Sequence, residues 1–291
     1  MANDLPASSL AGRITFLHNI NADNVGDVYC SPKHYFDFYS DQDVLIVGGG
    51  ASKDFFLGRA LRHRAKVRVV WGVGASLPLI DKQPSSLGKA LRHILYTTSY
   101  AALSTRDRSR AVGKVDFVPC VSVFNPVVDI FAGPEVGVFV NSDPNASGEM
   151  QGESLLKYFG SEVKLLTASN SMPLSNYVEN FKRCGRIITN SYHTAYWGLL
   201  SSREVSVIGY STKFIELLGS FGLDAKEMIA VRRGNADDLN AAVKVALQRR
   251  GLRLADPVSV KDEFRVLNLN FANKLRDLGI DSTLKVCPQL F

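Results

Sequence analysis

The run Ile187-Ile188-Thr189-Asn190-Ser191-Tyr192-His193-Thr194-Ala195 carries the strongest chemical signal in the sequence. An apolar β-type stretch gives way to small polar residues and a histidine, then to the apolar helical pattern Ala195 to Leu200. In open α/β sheets, ligands bind where strands end and helices begin. A histidine at such a point can exchange protons near neutral pH, and the N–H groups that open the helix favour an anion. Asn190 and Ser191 share that edge with His193. The alternative is a histidine that only caps its helix, because turns and helix starts draw on the same residue types.

Other strand ends offer matching parts. Arg106-Asp107 follows a strand pattern, and an arginine there can grip a carboxylate or phosphate with its planar fork while Asp107 holds the fork. A surface ion pair at a helix start is the competing reading, and Arg108 and Arg110 are expected on the surface. Asn24, Gly26 and Asp27 fall in a loop where glycine permits close backbone approach, or they form a plain tight turn. Gly48-Gly49-Gly50 and Gly72-Val73-Gly74 follow successive strands, leaving bare N–H groups that can cradle an anion. Neither turn matches G-x-G-x-x-G or the P-loop, which disfavours dinucleotide binding and ATP hydrolysis of those types. Lys213, after a further strand, would lie near His193 as an anion and proton-transfer pair, or serve as a solvated helix end.

The elements that must position these residues alternate along the chain. Strand patterns cover Arg13 to His18, Val44 to Val47, Val67 to Trp71, Ala101 to Ser104, Val115 to Val118, Val136 to Val140, Val163 to Leu166, Arg186 to Thr189, Val205 to Ile208 and Met228 to Val231. Helical patterns cover Asp54 to Arg64, Glu153 to Phe159, Leu174 to Arg183, Thr212 to Ser220, Ala236 to Arg249 and Val260 to Leu278. This rhythm predicts parallel sheets covered by helices. Asn125 to Pro134 reads as a linker. The expectation is therefore two Rossmann-like domains facing across a cleft, 1–130 and 131–291, the second ending in a long helix that packs across the junction.

At 291 residues the chain can hold two cores. Apolar residues make up 46% and charged residues 21%, which suits a globular enzyme and excludes a disordered chain. No apolar run approaches a membrane span and the start lacks a signal pattern, so a cytoplasmic protein is expected. Cys30, Cys120, Cys184 and Cys287 have no metal-ligand spacing, and neither a metal nor a disulfide scaffold is expected. The charge of +6 favours anionic partners. Its clusters, Arg59 to Lys66 and Gln248 to Arg253, read as a solvated face or as a polyanion or membrane-surface contact. No nucleic-acid module is present.

Taken in order, Asn24-x-Gly26-Asp27, Gly48-Gly49-Gly50, Gly72-x-Gly74, Arg106-Asp107-x-x-Arg110, Asn190-Ser191-Tyr192-His193, Ser211-Thr212-Lys213-Phe214 and Gly219-x-x-Gly222-Leu223 resemble the polysaccharide pyruvyl transferase family. The resemblance spans about residues 14 to 223. It implies a fold similar to two-domain (GT-B-type) glycosyltransferases, with no metal or cofactor. It also implies transfer of a pyruvyl group from phosphoenolpyruvate to two hydroxyls of one sugar, forming a cyclic ketal and releasing phosphate. The acceptor would be a glycan or lipid-linked oligosaccharide of a bacterial exopolysaccharide, capsule or wall, with peripheral contact at the inner membrane.

In that reading His193 and Arg106 are catalytic. Asn24, Gly26, Asp27, Gly49, Gly50, Gly74, Asp107, Asn190, Ser191 and Lys213 contact substrate. Ser191-Tyr192-His193 stands where many members carry Arg-Leu-His, and Thr194 replaces a frequent glycine, so that donor binding leans on Arg106, Lys213 or backbone amides, or else the donor differs. Two rivals are a nucleotide-sugar glycosyltransferase, for which no acidic ribose ligand follows a glycine turn, and a non-catalytic glycan- or anion-binding protein.

Overall fold

The computed structural model describes residues 12–18, 24–79, 86–148 and 165–286. The first half holds β1 (Ile14–Leu17), α1 (Val25–Tyr29), β2 (Phe36–Tyr39), β3 (Val44–Gly48), α2 (Leu57–Ala60), β4 (Val67–Trp71), α3 (Ser86–Ser99), β5 (Ala102–Thr105) and β6 (Val115–Phe117). The second begins with β7 (Glu135–Val140), α4 (Pro144–Ser147), β8 (Leu166–Ser169), α5 (Leu174–Arg183), β9 (Cys184–Thr189) and α6 (Tyr192–Leu200). It continues through β10 (Glu204–Gly209), α7 (Thr212–Ser220), β11 (Ile229–Ala230), α8 (Ala236–Gln248), α9 (Pro257–Lys274) and β12 (Asp281–Leu284).

Two separate parallel sheets result, ordered β1-β3-β4-β5-β6 and β11-β10-β9-β7-β8. Alternation along each strand sends neighbouring residues to opposite faces. On β3, Val44 and Ile46 enter a core with Tyr35, Phe36 and Phe271, whereas Leu45 and Val47 enter one with Phe55, Leu57 and Tyr96. On β7, Phe139 packs with Tyr177 and Phe181 of α5, while Val138 and Val140 meet Leu239 and Val243 of α8. The strands expected at 163–166 and 228–231 shift or shorten to β8 and β11, with residues 163 and 164 outside the described residues. The expected helix Glu153 to Phe159 also lies outside them.

The expected helix Asp54 to Arg64 shrinks to the single turn of α2. Phe55 and Phe56 adopt left-handed backbone, with φ of 53° and 58°. Ser52 Oγ and Asp54 Oδ1 take the Phe56 N–H at 2.9 and 3.1 Å, so a side-chain turn replaces the first helical turn. The expected linker is no free tether either. It opens with a 3₁₀ turn at Pro126–Asp129, directly after another at Val121–Phe124, and Asn125, Val127 and Val128 are buried.

Helix α9 bridges the halves. Asp256 caps it by accepting the Ser259 N–H, and Pro257 occupies its first position. Its Phe264 joins the second half's core, and its Phe271 and Ala272 join the first. Buried Asn268 accepts the Trp71 Nε1 hydrogen at 2.8 Å and donates to the Pro119 and Phe264 carbonyls. β12 then pairs antiparallel with β2.

Candidate active site between the two sheets

Arg106 directly follows β5 and is 3% exposed. Its guanidinium carbon lies 3.8 Å from the centroid of the Tyr192 ring, which opens α6 in the other half. Gly74 leaves room for this reach, since a Cβ there would come within 2.5 Å of Arg106 Nε and 2.8 Å of Asp107 Oδ1. Asp107 does not clamp the fork. Its Oδ2 accepts the Ala75 N–H at 2.6 Å and lies 3.6 Å from Arg110, so it fixes the turn after β4. Burial pushes the Asp107 carboxyl up to about 6 against the pull of Arg106 and Arg110. Arg106 Nε and Nη1, both buried, have no hydrogen-bond partner among the described residues.

His193 stands beside Tyr192 at the start of α6, 5% exposed. Its Nε2 lies 3.7 Å from the Cys120 thiol, and a Cβ on Gly26 would fall 2.2 Å from its Nδ1. Gly26 is thus required by the imidazole of the opposite half. Burial first, then Arg106 and Lys213, hold His193 well below its ordinary range, so it is a neutral base at physiological pH. Asp27 feels the same two cations. Burial raises its carboxyl, and Lys213 and Arg106 oppose that rise. Lys213 donates to the Tyr210 hydroxyl at 2.7 Å. No side chain caps α6 at Ser191, which leaves its opening turn open to an anion.

Arg106, His193, Asp27 and Lys213 therefore come together, two from each half. The remaining expected contacts serve the frame around them. Asn24 Oδ1 caps α1 by taking the Asp27 N–H. Asn190 accepts the Asn141 N–H at 2.7 Å and donates to Ser147 Oγ at 2.8 Å. The Ser191 amide donates to Thr189 Oγ1. The glycine turns are not a bare cradle, because their amides are taken. Gly49 donates to the Trp71 carbonyl, Gly72 to Ser104 Oγ and Gly74 to the Gly50 carbonyl. Close packing is what these positions demand. A Cβ on Gly49 would sit 2.3 Å from the Cys30 carbonyl oxygen.

Sequence reasoning missed Tyr192, Cys30, Cys120 and, apart from Asn190, the polar groups that follow the strands of the second sheet. Asn141 accepts from Asn170 and donates to Tyr210. Asn141, Asn170, Asn190 and Tyr210 each come directly after a strand, and that shared position was the available signal. Cys30 and Cys120 resemble ordinary core residues, and nothing in the sequence brings Cys120 to His193.

No family model matches this sequence, and no curated protein matches it. Among solved structures it is similar to the wall teichoic acid polymerase TagF, with 12% identity over 89% of this chain and 83% of that one, at a TM-score of 0.33. A variant of TagF gives 12% identity over 80% and 74%, at a TM-score of 0.31. Likeness at this level carries no weight for the reaction. Among the described residues, no helix is long and apolar enough to cross a membrane.

Proposed function

We propose that the protein transfers a pyruvyl group from phosphoenolpyruvate to two hydroxyls of a sugar, forming a cyclic ketal and releasing phosphate. The observation that carries this reading is the Arg106 guanidinium, buried with two unpartnered nitrogens and backed by Lys213 and the uncapped start of α6. A buried cationic donor left unpaired is costly, so the site is built for an anion that supplies acceptors. Phosphoenolpyruvate brings a carboxylate and a phosphate, one for each cation.

Neutral His193 suits proton removal from the first sugar hydroxyl as its oxygen bonds to C2 of the donor. The donor methylene gains a proton in the same step from Asp27, whose carboxyl burial raises, and Asp27 recovers that proton from His193 once phosphate has left. The second hydroxyl then displaces phosphate, and its proton leaves with that group. A bound dianion also offsets the charges of Arg106 and Lys213 that depress His193, so donor binding makes the imidazole a better base.

The test is thermal unfolding of the purified protein with phosphoenolpyruvate, with inorganic phosphate and with nucleotide sugars. Phosphoenolpyruvate at about a hundred times its Kd should stabilise by about 2.7 kcal/mol and raise Tm by a few degrees. Stabilisation by a nucleotide sugar and not by phosphoenolpyruvate would make this a glycosyltransferase instead.

A further inference from the structure

Helices α2 and α3 cover the same face of the first sheet. Phe55, Leu57 and Ala60 share a core with Tyr96 and Tyr100, and the Phe55 and Tyr96 rings meet edge to face at 5.0 Å. Tyr100 also donates to the Phe55 carbonyl at 2.8 Å. The outward side of this layer is apolar where a solvated helix should be polar. Leu61, Leu91, Ile94 and Leu95 are between 49% and 59% exposed. On α3 the three fall at i, i+3 and i+4, one continuous stripe turned away from the core.

The sequence that builds this layer is equally one-sided in charge. Between residues 51 and 100 the sequence has nine Lys and Arg, two Asp and no Glu, a surplus of seven where the whole chain carries +6. Arg59, Arg62, Arg64 and Lys66 are exposed, and none forms an ion pair among the described residues. We infer that this face docks on an anionic lipid bilayer, with Leu91, Ile94 and Leu95 entering the acyl boundary and the arginines meeting the headgroups. A second copy of the chain fits less well, because a two-fold pairing would press two strongly basic rims together. Nucleic acid would use the charge and leave the apolar stripe without a role. The inference goes beyond the proposed reaction and does not depend on it.

The full chain is tested by sedimentation with vesicles of phosphatidylcholine alone and of phosphatidylcholine mixed with phosphatidylglycerol. Binding is expected on the mixed vesicles and should weaken with added salt. Leu91→Glu with Ile94→Glu should weaken it roughly tenfold or more for each residue, since each buries an aliphatic side chain. Arg62→Glu with Arg64→Glu tests the charged rim by separate chemistry. Val258→Glu, at an exposed apolar site on α9, should leave binding unchanged, and unaltered melting temperatures show that the variants are folded. Absence of binding to the mixed vesicles, or binding indifferent to both pairs of substitutions, overturns the inference. A dimer in sedimentation velocity that Leu91→Glu splits also overturns it and assigns the face to self-association.

Discussion

Arg106 keeps its charge where water is nearly excluded, with a tyrosine face on one side and two N–H groups that have no hydrogen-bond partner among the described residues. Lysine would supply the charge without the fork or the flat contact with Tyr192. Arg106→Lys should therefore weaken phosphoenolpyruvate binding roughly tenfold or more, the equivalent of about 1.5–3 kcal/mol for a charge-assisted contact. Calorimetric titration measures it, and an unchanged Kd would move the anion to Lys213. Gly26 and His193 give a paired test. The added methyl of Gly26→Ala would press on the imidazole across the two halves, costing about 1–3 kcal/mol. Combined with His193→Ala that cost should shrink, because the methyl then enters the space the ring vacated. Chemical denaturation of both single variants and the double variant reads the coupling. Equal cost in the two backgrounds would mean that the ring and the glycine do not meet.

Elements whose pattern is local were legible in the sequence, and those set by distant partners were not. The helices at 174–183 and 212–220 match residue for residue, because an amphipathic face and a change of residue type mark both ends. β2 and β12 pair across more than two hundred residues, and Phe36-Asp37-Phe38-Tyr39 shows only half of that pairing. α3 also escaped the reading, since its apolar stripe faces outward. For the site, Arg106, His193 and Lys213 were legible as residues that follow strands, while the roles of Gly49, Gly50, Gly74 and Asn190 depend on packing that spacing does not reveal. Helix α9 was expected to cross the junction, and Asn268 is the contact that ties it there. Asn268→Leu orphans the Trp71 indole N–H and removes the donor to the Pro119 carbonyl, at about 1–3 kcal/mol for each buried group left unpaired. The denaturation midpoint should fall accordingly. Donor affinity should stay near normal, because the groups that Asn268 bonds, on Trp71, Pro119 and Phe264, are not those placed at the anion site, and a matching loss of affinity would mean that the helix sets the cleft geometry.

Across the molecule, the histidines make the fold acid-sensitive. Burial, then Lys33, His34 and Arg59, lowers His18 to about 4. Burial and then Lys33 lower His34 to about 4, and His193 is depressed as described. Each is neutral when folded and takes up a proton on unfolding below its ordinary value of 6.5, so each contribution to stability is present above that pH and is lost as the pH falls toward 4. Asp107 works in the opposite sense. With its folded carboxyl raised from 3.8 to about 6, its contribution is complete below 3.8 and declines as the pH rises toward 6. Asp27 runs the same way. Three histidines outnumber two carboxyls, so unfolding should take up protons between pH 4 and 6.5, and each uncompensated histidine contributes up to about 1.4 kcal/mol per pH unit. Denaturant midpoints measured across that window should fall on acidification. The fall should flatten in a His18→Gln, His34→Gln protein and steepen in Asp107→Asn, which removes an opposing group while keeping an acceptor for the Ala75 N–H. A midpoint that rose on acidification would show that the buried carboxyls dominate and that these histidines are already charged in the folded protein.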